Sequence, residues 1–358
     1  MTKSVVDRSK HVMRRLVERL LLTAFLVLQA GGIACAESYF VSPSGDDRGT
    51  GWNDDPWRTI QAAVNRLKPG DELNVRGGKY REHVDLGVSG TEAQPITIRS
   101  HPGEQATLDG GSFLARDCSY LRIEGFRVVG TRGNRAGIEV TGSGGFVEVV
   151  GNEVTQLETQ HVAAIRVGGR MHDFVIDGNH VHHNDTGNQE AIRVHERTSD
   201  FAVVNNEVTD NTNIGIDIVG WAQYGKPTRG LVRGNRAHNN ATQAPWASGI
   251  YLDGPTKILV EYNIATGSEY GFQLGCEPAN DESSGNVLRY NIAYDNTEYG
   301  LGIGGYTGGT VHHCRVYNNL FVNNKRAIGF SKNAGHNNTV VNNILYAPRG
   351  HSIVYLSR

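Results

Sequence analysis

Asn205-Asn206-Glu207-Val208-Thr209-Asp210-Asn211-Thr212-Asn213-Ile214-Gly215-Ile216-Asp217-Ile218 sets Val208 between two asparagines and follows them with a Gly-Ile-x-Ile strand carrying Asp217 at x. The same pattern returns along the chain. Positions equivalent to Asn206 are Phe126, Asn152, Asn179, Asn235, Asn263, Asn291, Asn319 and Asn343, at intervals of 26, 27, 27, 29, 28, 28, 28 and 24 residues. Two residues on, an apolar side chain recurs as Val128, Val154, Val181, Val208, Ala237, Ala265, Ala293, Phe321 and Leu345. Five residues on, a second asparagine recurs as Asn184, Asn211, Asn240, Asn296 and Asn324. A fixed period in the 20–50 residue range means stacked units, each too small to bury its own apolar face.

The stacked unit here is a coil of short strands. Later in each copy a strand opens on Gly or Ala, as in Gly137-Ile138-Glu139-Val140, Ala164-Ile165-Arg166-Val167, Ala191-Ile192-Arg193-Val194 and Gly249-Ile250-Tyr251-Leu252. Helical periodicity is almost missing, Leu does not dominate as leucine-rich repeats need, and the period is too short for propeller blades. The expectation is an all-β, right-handed parallel β-helix of about nine or more coils of ~27 residues. Asparagines at the bends then form ladders from coil to coil.

Outside the repeats, three regions are expected: a signal peptide at 1–36, an N-terminal cap with the first coils at 37–120, and the repeats at 121–358. Arg14, Arg15 and Arg19 precede the apolar run 20–34, which ends in Ala34-Cys35-Ala36. That order reads as a secretory signal, with a lipoprotein anchored through Cys35 as the alternative. The expected location is secreted or periplasmic, with no integral membrane segment once the signal is removed. Trp57, Ile60, Ala63, Val64 and Leu67 fall on one helical stripe, so a helix over 57–67 is expected to cap the open end of the stack.

Removing residues 1–36 takes six Lys/Arg from 35 and two Asp/Glu from 37, leaving 29 basic against 35 acidic, or −6. With no basic run, nucleic acid is not an expected partner. Cys118, Cys276 and Cys314 are odd in number and irregular in spacing, and read as buried thiols rather than a disulfide framework. One elongated monomeric domain is expected.

Alternate side chains in a strand face outward. One outward column holds Glu139, Arg166, Arg193, Asp217, Tyr251 and Gln273, and a second holds Gly168, His195, Val219 and Asp253, with Glu190 just before its strand. Charged members concentrate on four consecutive coils. Beside them a longer loop carries Trp221, Tyr224 and Lys226, another carries Trp246, and a third carries Glu277, Asp281 and Glu282. Long loops beside a regular stack often form functional walls, and aromatic faces stack on sugars. Arg166, Trp221, Tyr224, Trp246 and Gln273 are the expected substrate-binding residues of an open groove for a polysaccharide.

Tyr39-Phe40-Val41-Ser42-Pro43-Ser44-Gly45-Asp46-Asp47, Pro56-Trp57-Arg58-Thr59-Ile60-Gln61-Ala62-Ala63 and Lys68-Pro69-Gly70-Asp71 resemble the opening of secreted β-helix proteins of the pectate-lyase-like superfamily, nearest to family nine pectate lyases. That resemblance covers nearly all of the chain after residue 36. Where family nine lyases carry a calcium-holding N-x-D-D-G-x-D run, this chain has Asn211-Thr212-Asn213-Ile214-Gly215-Ile216-Asp217, keeping the last Asp. Asn188-Gln189-Glu190-Ala191-Ile192-Arg193 is similar to the G-E-x-I-R strand of family six alginate and dermatan lyases. The resemblance implies β-elimination from an acidic, uronate-containing glycan. Such a lyase neutralises the sugar carboxylate with Ca²⁺ or Arg and removes the C5 proton with a base. On that reading Glu190, Asp217 and Asp253 would hold Ca²⁺, Arg193 would neutralise the carboxylate, and Asp217, Lys226, His195 or Tyr251 would complete the catalytic set. The alternatives are a C5 epimerase, an inverting glycoside hydrolase using Asp217 and Asp253 at about 6.5–9.5 Å, or a non-catalytic carbohydrate-binding surface protein.

Overall fold

The computed structural model describes residues 36–240, 247–304 and 308–357. The signal-peptide reading of 1–36, including Cys35, and the loop residue Trp246 therefore lie outside the described residues, Ala36 aside. The rest is a β-solenoid of three long parallel sheets, one of 12 strands and two of 11, in which each strand pairs with its counterpart one coil earlier and one coil later.

Inward positions fill the lumen with stacked apolar side chains. Val128, Val154, Val181, Val208, Ala237, Ala265, Ala293 and Phe321 are all buried, as the repeat requires. Phe174 stacks on Phe201 with ring centroids 5.2 Å apart. The three cysteines are buried free thiols, and Cys314 sits within the main core, away from the surface histidines beside it in sequence.

The bends are built by asparagine. The backbone N–H of Asn206 donates to Asn235 Oδ1 at 2.9 Å, and its amide donates to the same oxygen at 3.0 Å and to the Ile176 carbonyl at 3.0 Å. The pattern runs from Phe126, whose N–H binds Asn152 Oδ1, to Asn319 on Asn343. The second ladder links Asn184, Asn211 and Asn240, and after Ser268 continues through Asn296 and Asn324. The residue before a ladder asparagine often has left-handed backbone, as at Asn205 (φ 55°) and Asp210 (φ 56°), a conformation Asn and Asp adopt more readily than most residues.

The N-terminal helix is shorter than its stripe. It runs Ile60–Val64, with Thr59 as N-cap accepting from the Ala62 N–H. Trp57 is instead extended, donating to the Phe40 carbonyl and accepting from the Ser42 N–H, so pairing with the first strand overrides helical spacing there. Ile60, Ala63 and Val64 still bury against the first coil.

Candidate functional site

One 11-stranded sheet carries the predicted columns. Its middle strands are Ile138–Thr141, Ile165–Val167, Ile192–His195, Ile216–Val219, Ser248–Asp253 and Tyr270–Gly275. Register aligns Glu139 with Arg166, Arg166 with Arg193, Arg193 with Asp217, Asp217 with Tyr251, and Tyr251 with Gln273. It also aligns Val219 with Asp253. The columns are therefore real.

Their exposure is not as expected. Ile138–Thr141 alternates buried and half-buried, but Ile216–Val219 and Ser248–Asp253 are buried throughout. Asp217 is 2% exposed, Asp253 2%, Tyr251 4%, Glu190 5% and His195 6%. These side chains lie under the loops rather than on a solvated groove floor. The Trp221 indole N–H donates to Asp253 Oδ2 at 2.6 Å, and the Glu277 backbone N–H donates to Asp253 Oδ1 at 2.8 Å. The two loops are pinned to each other: Asp281 accepts from the Ala222 N–H at 2.6 Å and pairs with Lys226 at 2.5 Å, and Lys226 also donates to the Glu282 carbonyl. Lys226, expected as a base, is here engaged in tying the two loops together.

His195 changes role as well. The Arg166 Nε–H donates to His195 Nε2 at 2.9 Å, and His195 Nδ1 faces Glu196 at 3.4 Å. Burial first, then the charges of Arg166 and Arg193, push its pKa down to about 2. Its ring is neutral and its lone pair occupied, so it orients Arg166 instead of moving protons. Gly168 makes this possible, since a Cβ there would lie 2.2 Å from His195 Nε2. Arg193 pairs with Glu190 at 3.2 Å and also donates to Gln189. Tyr251 packs with Ile214 and Ala247, and burial, then Asp253 and Glu277, raises its pKa well above the usual phenol value. Gln273 accepts from the Ser248 hydroxyl, and Tyr224 is exposed beside Trp221, with ring centroids 6.2 Å apart.

What remains is a group of carboxyls in conflict. Burial, then the nearness of Glu190 and Asp253, raises Asp217 well above its ordinary value, and its Oδ1 has no hydrogen-bond partner among the described residues. Burial raises Asp253 to about 6 against the opposing Trp221 and Glu277 hydrogen bonds. Burial and Asp253 raise Glu277 to about 7. By sequence Glu277 stands only among loop acids; its signal is a place two residues after the Tyr270–Gly275 strand, whose Gly275 pairs with Asp253. Perturbed groups of this kind concentrate at functional sites.

The expected calcium set of Glu190, Asp217 and Asp253 does not fit that ion as arranged. Glu190 is committed to Arg193, and both Asp253 oxygens accept N–H bonds. Among the described residues no three His, Cys, Asp or Glu side chains converge as a ligand set.

This solenoid, with acids and aromatic loops on one sheet, is a polysaccharide-active β-helix fold. The chain belongs to the family described as Pel9A-like, right handed beta helix region, whose model matches residues 39–338. It is 27% identical to the uncharacterized protein YwoF of Bacillus subtilis (strain 168) over 347 residues, 86% of this chain and 74% of that one. It is 35% identical to pectate lyase PEL9 of Emericella nidulans over 77 residues, 21% of this chain and 19% of that one. Among solved structures it resembles the GH136 lacto-N-biosidase of Eubacterium ramulus at TM-score 0.65 and 15% identity, covering 87% of this chain and 68% of that one. Pectate lyase Pel9A matches at TM-score 0.60 and 14% identity, covering 79% of each chain. The A-module of the Azotobacter vinelandii mannuronan C-5 epimerase matches at 0.56 and 15%, covering 84% and 92%. At these identities the likeness is one of fold. No helix among the described residues is long and apolar enough to cross a membrane.

Proposed function

We propose that this protein is an exported glycoside hydrolase of the inverting, two-carboxylate type, with Glu277 as general acid and Asp253 as general base. What supports this is a pair of neighbouring, poorly solvated carboxyls: Asp253, 2% exposed and held by the Trp221 and Glu277 N–H groups, is raised to about 6, and Glu277 to about 7. At neutral pH one is mostly ionised while the other retains a substantial protonated fraction, which is how one site supplies acid and base together. Glu277 delivers its proton to the glycosidic oxygen as the C1–O bond breaks. Asp253 takes a proton from the water that attacks C1, and exchange with solvent resets both groups. Each Asp253 oxygen accepts one N–H bond, which fixes how the carboxylate faces an incoming water.

Charge separates this reading from β-elimination. A uronate carboxylate at this point would add another acid to a crowded group whose members already raise one another's pKa, and Arg193 is already paired with Glu190. A neutral sugar meets no such opposition. Elimination is the second reading, favoured by family membership and by the partly exposed Arg166. Incubation with a panel of neutral and acidic polysaccharides, with and without Ca²⁺, tests both. New reducing ends of inverted anomeric configuration, without unsaturated uronide absorbance, are expected. Calcium-dependent growth of that absorbance would replace the hydrolase with a lyase.

A further inference from the structure

A second feature lies on the same sheet, three strands towards the N-terminus. A cleft of about 480 Å³ is lined by His83, Ser112, Arg116, Arg132, Arg135 and Glu139, among others. Arg132 pairs with Glu158 and Glu139 faces Arg166, but Arg116 and Arg135 form no ion pair among the described residues and are exposed. His83 is hydrogen-bonded to Ser112 at 2.8 Å, and its pKa is lowered by burial and then by Arg135, so it adds a polar wall without a further charge at neutral pH. The cleft therefore offers two uncommitted guanidiniums, whose planar forks match carboxylate or sulfate oxygens.

Its position gives it a function. Glu139 belongs to the same lateral column as Asp217, three strands away, and lies four strands from the one carrying Asp253, or roughly 19 Å at the usual strand spacing. A glycan lying over this sheet would run from the covered carboxyl cluster, past the half-buried Arg166, to the cleft. The geometry points to an anion subsite here: the substrate carries a carboxylate or sulfate group a few sugars from the bond that is cut, held by Arg116 and Arg135. This deepens the hydrolase reading and rests on it only for the location of the cut. It also removes an apparent conflict, since a negatively charged polymer can be recognised at the cleft while a neutral unit sits at the acids.

Binding measured without turnover tests this. Calorimetry on the Glu277→Gln protein would compare an oligogalacturonate hexamer, its methyl ester, and a sulfated carrageenan oligosaccharide, with and without the Arg116→Ala/Arg135→Ala pair. At least one charged probe is expected to bind and to weaken tenfold or more in the double variant, with the methyl ester unaffected; which charged probe responds tells carboxylate from sulfate. Unchanged melting temperature in the double variant confirms that the loss is local. Equal loss for charged and neutral probes, or no binding of either charged probe, overturns the subsite. Binding that behaves as expected, in a protein that hydrolyses nothing on the panel, leaves the cleft standing and removes the hydrolase reading.

Discussion

Two sets of buried polar side chains run through this solenoid, and they are built on opposite principles. Asn206 and its equivalents are 0–2% exposed over Asn152–Asn319, and the amides donate to the next asparagine and to a carbonyl. Asp217, at 2% exposed, leaves Oδ1 without a partner among the described residues and is crowded by like charges. Complete satisfaction is what a structural polar column needs, because an unpaired buried group costs about 1–3 kcal/mol. Frustration kept in one place is the mark of chemistry.

The largest effect expected from breaking this contrast is catalytic. Glu277→Gln or Asp253→Asn should lower kcat by about 10²–10⁴ on the polysaccharide that the panel identifies, while the melting temperature stays level or rises. A comparable loss of folding with activity per folded molecule intact would make the acids structural. On the ladder side, Asn235→Ala removes the acceptor for Asn206 and the donors to Asn263 and Val203, and should cost about 3 kcal/mol in denaturant unfolding.

The pH dependence follows in sign from the raised values. A carboxyl whose folded pKa exceeds its unfolded one keeps a proton that the unfolded chain has released, so its share of stability is present below the unfolded value and is lost as pH rises through the folded one. For Asp253 that window runs from 3.8 to about 6, and for Glu277 from 4.5 to about 7. Asp217→Asn should therefore stabilise the protein more at pH 8 than at pH 4, measured by thermal melts. Activity should be bell-shaped, with limbs near 6 and 7. Trp221→Phe removes the N–H that holds Asp253 down and should move the acidic limb upward. Smallest of all, Lys226→Ala should loosen the two loops, raising KM with little change in kcat.

The sequence made the columns legible because coil-to-coil register follows from the repeat itself. Asn206, Asn235 and Asp217 stand in the structure where period and alternation put them. The protonation of the columns was not legible, since it depends on cover. Trp221 and Tyr224 read in the sequence as walls of a groove, but nothing in their spacing says that the Trp221 indole reaches Asp253. Lys226 and His195 looked like bases because their own strand or loop offered no partner; Asp281 and Arg166 come from other coils. Glu277 is hidden by lying two residues past the strand Tyr270–Gly275. The helix was overlong for a similar reason, as Trp57 pairs with a strand that local periodicity does not register.

The central claim is that these carboxyls are held apart in protonation while the asparagine columns are inert. Carboxyl carbon NMR of the labelled protein, titrated from pH 3 to pH 9 with Asp217→Asn, Asp253→Asn and Glu277→Gln for assignment, reads this directly. The account predicts one carboxyl titrating near 6, one near 7, and the Asp217 carboxyl titrating well above its ordinary value. Titration of all three in the ordinary range around 4 would contradict it.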